Sequence, residues 1–547
     1  MSEVLPADPV ADRAVATTPT QPDQMVDGSQ PRSQSSPPRF HDMDSLRAAM
    51  MLLGLVFHVA WFFQPIYFGH PLSDVKGGTG YLYFFSWVHQ FRMHVFFLIA
   101  GFFACLLIKK RGQFAFAKNR FMRVVIPLGL SMVTIYPLMK LQYLRGGLTS
   151  GRIISDEPIA SQFWAELANL DWQNEWIVHL WFLECLILIY AISLLLRLAF
   201  DFVVDRGNSI RPQITKLTNR LSRSHWGPVL LAVPVAACMA YDLTWFGIDS
   251  GPIKPLWAGV LAYWIFFGVG WCLYSAPEIV DVYVRRWPGY LILGSVMSFA
   301  LCGYFHHLLM DGRISFFYPA VLDTEIDFPS LRTNLLRAAE DPEDQSDYRV
   351  IWDALSPSYQ EFLRNSQDPT SDQLVGFTMD LSKATVLNPE FPALIGHQAP
   401  GATSQESFDP VANRTLLAER LAEIPGRWTP PLWIRAIYFY AYGLATWLMT
   451  FGMLGLFRRY MSQPNATIRY LADSSYWLYL IHIPLQFEMA IHMGLWEANG
   501  FLKFAIYNIA TFAILIPSYH YLVRPTWLGY MLNGRLYPLK SQSPATT

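Results

Sequence analysis

Ten long apolar segments divide this chain, and they constrain its fold more than any other feature of the sequence. Each is close to the roughly 20 residues that an α-helix needs to cross the hydrocarbon core of a bilayer. Charged residues make up 15% of the chain, against roughly 25% in soluble proteins. The sequence therefore predicts an all-α polytopic membrane protein with about ten transmembrane helices. The predicted spans are residues 46–64, 84–107, 124–142, 178–200, 228–246, 257–274, 288–309, 432–457, 469–490 and 502–523.

The placement of Lys and Arg between these segments predicts their orientation, because short cytoplasmic loops are enriched in both residues. If the N-terminus is cytoplasmic, the short inside loops hold sixteen Lys and Arg residues and the short outside loops hold four. Both termini are therefore predicted to be cytoplasmic, in a multi-pass protein of the plasma (inner) membrane.

Two polar regions stand apart from the apolar segments. Residues 1–38 are rich in Pro, Ser, Gln and Asp, which predicts a disordered cytoplasmic tail. Residues 311–430 are polar and acidic, and the topology places them outside. They are long enough for a small domain, with a partly ordered loop as the alternative. The predicted domains are the tail at 1–38, spans one to seven at 39–310, the extracytoplasmic insertion at 311–430, spans eight to ten at 431–530 and a cytoplasmic tail at 531–547.

Several classes of function lack their sequence signals. The five cysteines all fall within predicted spans, so neither disulfides nor a Cys-x-x-Cys metal site is predicted. Walker loops, Rossmann glycine patterns and His-Glu-x-x-His stretches are missing, which argues against an ATP-driven pump and a zinc enzyme. A net charge of −1 offers no general attraction for nucleic acid. We therefore predict no metal site, no bound cofactor and no nucleic-acid partner.

The first span carries two ionisable side chains on one face. Arg47 and His58 are eleven residues apart, which is close to three helical turns and about 16 Å along the axis. Ionisable groups inside a span usually face a protein interior or an aqueous cavity and mark function. The simpler alternative is that Arg47 anchors the helix and His58 is satisfied by a neighbouring helix.

Polar residues from four predicted spans lie at similar depth, in the middle or outer half of the bilayer. Similar depth predicts one shared cavity, whereas pairwise hydrogen bonds between helices are the alternative. The residues are His58, Arg92, His94, Glu184 and His482, with His179 and Trp181 just above Glu184.

A second group of cations lies at the predicted cytoplasmic edge. Arg47 begins the first span, and Arg120 and Arg123 share a helix face at the start of the third. Because arginine binds phosphate oxygens bidentately, this edge could receive a phosphorylated ligand. The enrichment of basic residues on the cytoplasmic side explains the same residues without a ligand.

Several short stretches, in order from about residue 40 to residue 525, carry a resemblance to a known family. They are MDSLR at 43–47, MLLG at 51–54 followed by FH at 57–58, FRMHVFFLIAGF at 91–102, NRFMRVVIP at 119–127, HLWFL at 179–183 and SSYWLYLIH at 474–482. Together they resemble the membrane-bound acyltransferase type 3 family, and more narrowly its glucans biosynthesis protein C branch. The combination is specific, although each stretch alone is weak.

The resemblance implies an integral-membrane O-acyltransferase. Such an enzyme moves an acyl group, here succinyl or acetyl, from cytoplasmic acyl-CoA to a hydroxyl of an extracytoplasmic glycan. The proposed catalytic residue of the family matches His58, which would act as a general base or, alternatively, carry the acyl group itself. Glu184 would be the second catalytic residue and orient the imidazole. Arg47, Arg120 and Arg123 would bind the co-substrate acyl-CoA.

The remaining residues near His58 are predicted to bind substrate. They are Arg92, His94, Trp181, Tyr479 and His482. Arg92 is the intramembrane cation best placed for the distal carboxylate of a succinyl group. The predicted partners are the lipid bilayer, acyl-CoA and the glycan acceptor, and a homo-oligomer stays open.

The insertion at 311–430 is larger than the core of this family requires. An apolar pattern between Tyr348 and Leu363 predicts an amphipathic helix there. Tyr348, Trp352 and Tyr359 could stack on sugar rings of the acceptor, or they could simply pack in a small core.

Two other classes of function stay open on the sequence. A transporter or exporter of a glycan or glycolipid would also use intramembrane His, Arg and Glu side chains, although the ten segments show no clear inverted repeat. A scaffold that displays the insertion would leave the polar residues at mid-depth unexplained.

Overall fold

The computed structural model of the protein describes residues 40–64, 70–155, 157–170, 172, 177–200, 209–242, 253–310, 328–341, 349, 352, 353, 355, 357–366, 373 and 432–537. The chain divides into two units, residues 1–39 and residues 40–547, and all described residues belong to the second. The predicted tail at 1–38 and most of the predicted tail at 531–547 lie outside the described residues.

Every regular element in the described part of the chain is a helix, which confirms the predicted all-α class. The helices are α1 His41–Phe62, α2 Thr79–Arg120, α3 Ile126–Ser150, α4 Ile159–Ala168, α5 Trp181–Ala199, α6 Ile210–Arg223, α7 Gly227–Asp242, α8 Trp257–Leu273, α9 Ile279–Met310, α10 Phe328–Glu340, α11 Pro357–Asn365, α12 Leu432–Tyr460, α13 Ala466–Met493, α14 Gly500–Ser518 and α15 Trp527–Asn533. Short π-helical turns at Phe121–Val125 and Tyr519–Val523 follow α2 and α14, and the 3₁₀ turn Val178–Leu180 precedes α5.

Each of the ten predicted spans overlaps one of these helices. By length and composition, six helical segments of the described residues can cross a membrane, or seven if the bent pair α6 and α7 forms one span. The chain is a multi-pass membrane protein, while the count of ten crossings and the cytoplasmic side of both termini stay predictions. The six segments are His41–Phe62, Thr79–Ser150, Val178–Ala199, Ile279–His306, Leu432–Tyr460 and Gly500–Val523.

Helix breaks, short helices and one polar helix account for the lower count. Thr79–Ser150 is 72 residues long and contains both α2 and α3, with a break at Gly112, where φ is 82°. Helices α7 and α8 have 16 and 17 residues, fewer than the roughly 20 that cross a bilayer without tilt. Helix α13 is long enough, but Ser474, His482 and Gln486 are buried polar residues along it.

Helix α1 packs against both α2 and α13, and this arrangement positions the candidate site. Helix α2 also packs along α8, where two glycines allow the backbones to approach closely. A Cβ on Gly101 would lie 1.9 Å from the Phe267 carbonyl oxygen, and one on Gly270 would lie 1.8 Å from the Leu98 carbonyl oxygen. Small residues of this kind are typical of helix pairs in membranes.

Part of the predicted insertion forms a second, small hydrophobic core. Its buried residues are Leu335, Trp352, Leu355, Tyr359, Phe362 and Leu363. Trp352 and Tyr359 are 4% and 6% exposed, so they pack in this core, the simpler of the two interpretations, and Tyr348 lies outside the described residues. The Tyr359 hydroxyl donates a hydrogen bond to the Arg152 carbonyl, which attaches the small core to the segment after α3.

Candidate active site

Three histidines from three different elements meet beside α1. His58 on α1 and His482 on α13 share a hydrogen bond, with 2.9 Å between His58 Nδ1 and His482 Nε2. The ring centroids of His482 and His179, the latter from the turn before α5, are 5.1 Å apart. The structure thus brings two predicted site residues together with a histidine to which the sequence assigned no role.

One face of α13 carries the polar groups of this cluster. Tyr479, His482 and Gln486 recur at spacings of three and four residues, which places them on one side of the helix. Gln486 Nε2 donates to the Leu55 carbonyl of α1 at 2.9 Å. The Tyr479 hydroxyl donates to the His179 carbonyl at 2.6 Å. Helix α13 therefore holds both α1 and the turn before α5 in place around His482.

A proline in α13 provides the partner of His179. Because Pro484 has no N–H, the Leu480 carbonyl four residues earlier lacks its usual helical donor. His179 Nε2 lies 3.1 Å from that carbonyl oxygen, and since a carbonyl only accepts, this nitrogen carries a proton. The proline two residues after His482 is the sequence signal that could have pointed to such a partner.

Backbone strain accompanies the position of His179. Val178 has a φ of 52°, a region that β-branched residues rarely adopt. Conformations of this kind cost on the order of 1–3 kcal/mol, persist only where surrounding contacts impose them, and cluster at functional sites. Val178 is buried, so the packing around it maintains the turn that presents His179.

Arg92 of α2 brings a positive charge to the three histidines. Its side chain is 7% exposed, its Nε has no hydrogen-bond partner, and it forms no ion pair within the described part of the chain. Its guanidinium carbon lies 4.7 Å from the Phe57 ring centroid, and a Cβ on Gly54 would lie 2.0 Å from its Nη1. Since Gly54 is one helical turn from His58, the guanidinium lies against α1 next to that histidine.

His94 and Trp181 belong to a neighbouring aromatic group. Both contact Tyr263 of α8, with ring centroids 5.1 Å and 5.7 Å away. Successive residues of a helix are rotated by about 100°, so Arg92 and His94 face almost opposite sides of α2. Similar depth in the membrane is therefore not sufficient for a shared cavity.

Glu184 lies in the first turn of α5 and is partly buried. It forms no hydrogen bond or ion pair within the described residues. His482 occupies the position at His58 Nδ1 that an orienting carboxylate would need. The predicted role of Glu184 therefore stays a prediction without a supporting contact.

Arg47, Arg120 and Arg123 come together toward the other end of α1. Arg123 lies within electrostatic range of both other arginines. Arg47 pairs with Asp44 at 3.5 Å and is 40% exposed, and in the described part of the chain this is the one ion pair that the three arginines form. The group therefore carries excess positive charge, as an anion site requires.

The segment that follows helix α15 adds Arg535, which the sequence did not single out. Arg123 Nε donates to the Leu532 carbonyl at 2.9 Å, where the carbonyl end of the helix attracts a cation. Gly534 then turns the chain with a φ of 70°, and Arg535 lies within electrostatic range of Arg123. A basic residue after the last span is common in cytoplasmic segments, so no sequence signal marked it.

His58 is the most exposed histidine of the cluster. His179 and His482 are 3% and 1% exposed, whereas His58 is only partly buried. Its Nε2 makes no hydrogen bond in the described part of the chain and keeps accessible surface. Within the described residues, no group of three or more His, Cys, Asp and Glu side chains suits a metal ion. The arrangement can therefore exchange a proton at one reachable nitrogen.

The sequence is similar to a family of known enzymes. The model of a family described as an acyltransferase domain matches residues 40–324, just over half of the chain. Proteins named Glucans biosynthesis protein C from Escherichia coli (strain K12 / DH10B) and Escherichia coli O6:K15:H31 (strain 536 / UPEC) are 32% identical over 157 residues, which are 27% of this chain. That match spans 36% of the length of these curated relatives. No solved structure matches the chain.

Proposed function

The chain belongs to the acyltransferase family whose model matches residues 40–324, and we propose that this membrane acyltransferase moves a succinyl or acetyl group from cytoplasmic acyl-CoA to a hydroxyl of an extracytoplasmic glycan. Membership of an enzyme family argues against the transporter, exporter and scaffold that the sequence left open. The name of the relatives supports a glucan as the acceptor, and we place the enzyme in the plasma (inner) membrane.

His58 is the proposed general base. Its accessible Nε2 takes the proton of the acceptor hydroxyl while the hydroxyl oxygen attacks the thioester carbonyl carbon. The carbon–sulfur bond then breaks, and the CoA thiolate takes the proton back from the imidazolium. General-base catalysis of this kind contributes about 10²–10⁴-fold to a rate. The observation that carries the proposal is the accessible Nε2 on a ring whose other nitrogen is hydrogen-bonded.

An acyl-His intermediate is the alternative chemistry at the same nitrogen. Nε2 would attack the thioester carbonyl carbon and release CoA as a thiolate. The acceptor hydroxyl would then attack the acyl-imidazole, the bond between Nε2 and the acyl carbon would break, and the hydroxyl proton would go to the thiolate. Both routes need His58, and both leave it unchanged after a turnover.

The arginines at the predicted cytoplasmic edge are the proposed site for the CoA phosphates. Arg47, Arg120 and Arg123 carry excess positive charge, and guanidinium groups bind phosphate oxygens bidentately. Arg47 and His58 share a face of α1 about 16 Å apart along its axis, a separation that suits the long pantetheine arm between the phosphates and the thioester.

Arg92 supports an acyl group with a distal carboxylate, such as succinyl. A buried cation that forms no ion pair with the described residues is costly, and an anionic group of the substrate would compensate for that cost. Because the guanidinium lies one helical turn from His58, a carboxylate bound there would leave the thioester close to the base.

His58→Ala tests the proposed function in cells that make the full chain. Envelope glycans should lose their acyl groups, as measured by mass spectrometry. Thr511→Val is the matched control, because Thr511 is also buried and hydrogen-bonded but lies on α14, and it should leave acylation unchanged. If glycan acylation persists at normal levels in cells that insert the His58→Ala protein correctly, the proposed mechanism is wrong.

A further inference from the structure

The hydrogen bonds of His482 determine which nitrogen of His58 carries a proton. His482 Nδ1 lies 2.7 Å from the Tyr479 carbonyl oxygen, and a carbonyl only accepts, so Nδ1 is the protonated nitrogen of His482. A neutral imidazole carries one ring proton, so Nε2 of His482 has a lone pair. His58 Nδ1, 2.9 Å from that lone pair, must then be the donor.

We propose that His482 is a positioning residue for acyl transfer, which holds His58 in the tautomer with a proton on Nδ1 and a lone pair on Nε2. In the opposite tautomer, two lone pairs would face each other between the rings. His58 Nε2 would then carry a proton and could not accept one from a hydroxyl. The proposal rests on the proposed function of His58. His482 exchanges no proton with the substrate, because the hydroxyl proton moves to His58 Nε2 and from there to the CoA sulfur.

The surroundings of the pair match this assignment. The titratable and charged groups that face it are Arg92 from α2, His179 from the turn before α5 and Tyr479 from α13. His179 Nε2 donates its proton to the Leu480 carbonyl, and the Tyr479 hydroxyl donates to the His179 carbonyl. Neither group therefore competes with His482 for a hydrogen bond to His58 Nδ1. Arg92 already supplies the positive charge of the cluster.

Three variants of His482 test the proposal with the purified full chain in phospholipid vesicles. Release of CoA from succinyl-CoA and acetyl-CoA is followed with a β-glucan oligosaccharide as acceptor. His482→Leu removes the acceptor of the His58 hydrogen bond and should lower kcat by about 10²-fold or more. KM for acyl-CoA should change less than about threefold, because Arg47 of the proposed phosphate site lies about 16 Å from His58 along the axis of α1. His482→Gln keeps an acceptor oxygen and should stay within about tenfold of the unsubstituted rate.

His482→Glu supplies a readout that a purely structural role would not move. A carboxylate beside His58 favours the imidazolium, so the acid limb of the pH–rate profile should move to higher pH. Thr511→Val on α14 should leave both the rate and the profile unchanged.

The outcomes separate this inference from the function on which it rests. If His58→Ala abolishes acyl transfer while His482→Leu stays within about threefold of the unsubstituted rate, His482 is not a positioning residue. If His58→Ala itself keeps its activity, the proposed function fails. Should His482→Leu not insert, an unshifted acid limb in His482→Glu overturns the proposal.

Discussion

Arg92 and His94 show what one residue position can and cannot do in a transmembrane helix. They are two positions apart, yet the Arg92 guanidinium lies against Gly54 of α1, whereas the His94 ring packs on Tyr263 of α8. The difference follows from the rotation of about 100° per residue. At this scale, the identity of a side chain matters less than the direction in which the helix presents it.

Arg92→Gln should change the choice of acyl donor. A hydrogen bond to a charged group is worth about 1.5–3 kcal/mol, which corresponds to roughly 10- to 100-fold. We expect kcat/KM for succinyl-CoA to fall by that factor, while kcat/KM for acetyl-CoA, which has no distal carboxylate, changes little. An equal loss with both donors would show that Arg92 does not bind the carboxylate.

Gly54→Ala should displace the Arg92 guanidinium, because the new Cβ would lie 2.0 Å from Nη1. The rate should fall by about tenfold or more, although Ala favours a helix over Gly by up to about 1 kcal/mol. Gly268→Ala on α8 is the matched control, since nothing lies within 4 Å of its new Cβ. Equal rates for the two variants would contradict the importance of this contact.

Helix α13 illustrates how an element can be both a membrane helix and a part of a site. Its buried polar face makes it less apolar than its neighbours, and that same face contacts α1 and the turn before α5. The break in its hydrogen bonding at Pro484 adds a carbonyl that a straight helix would not offer. The buried polar residues that make α13 less apolar than a typical membrane span are the same residues that form the site in our proposal.

Pro484→Ala should impair the site without weakening the helix. The restored N–H can bond the Leu480 carbonyl, so His179 Nε2 loses its partner and the turn before α5 can move. We expect a rate reduced by about tenfold or more and a stability equal to or above that of the unsubstituted chain, because Pro costs about 3 kcal/mol relative to Ala inside a helix. Pro517→Ala in α14 is the control and should keep the rate. An unchanged rate in Pro484→Ala would show that the Leu480 carbonyl does not position His179.

At the scale of the whole molecule, a buried ion pair joins segments that are far apart in the sequence. Asp74, between α1 and α2, lies 2.6 Å from Lys503 of α14, and both side chains are 1% exposed. Lys503 also donates to the Trp496 carbonyl at 2.8 Å. Burial raises the pKa of the Asp74 carboxyl, although the Lys503 ammonium and the Lys76 amide act in the other direction. The pair therefore links the segment between α1 and α2 to α14.

Lys503→Met should lower the free energy of unfolding by about 3–5 kcal/mol, because it leaves a buried carboxylate uncompensated. Replacing both partners, as Asp74→Leu with Lys503→Met, should recover most of that loss. Thermal unfolding of the full chain in detergent measures both changes. Lys76→Met breaks the exposed pair with Glu497 and should have little effect. If Lys503→Met and Lys76→Met unfold alike, the buried pair does not stabilise the bundle.

The sequence predicted most of the elements and the chemistry of the enzyme class. All ten apolar segments overlap helices, and the family resemblance is confirmed by the match over residues 40–324. The sequence did not predict which polar side chains contact each other. His179 and Arg535 received no role, while His94 and Trp181 lie in a neighbouring aromatic group and Glu184 has no partner among the described residues.

The amino-acid sequence by itself determined that the chain forms apolar helices in a membrane, because a backbone in lipid must satisfy its hydrogen bonds within each helix. It also predicted an approximate depth for each polar residue from the count of residues to the end of its predicted span. The tertiary structure alone decided that His58 meets His482, and that Arg92 rather than His94 faces them. Those contacts depend on the rotation of each helix and on its neighbours, which are set by packing between residues hundreds of positions apart.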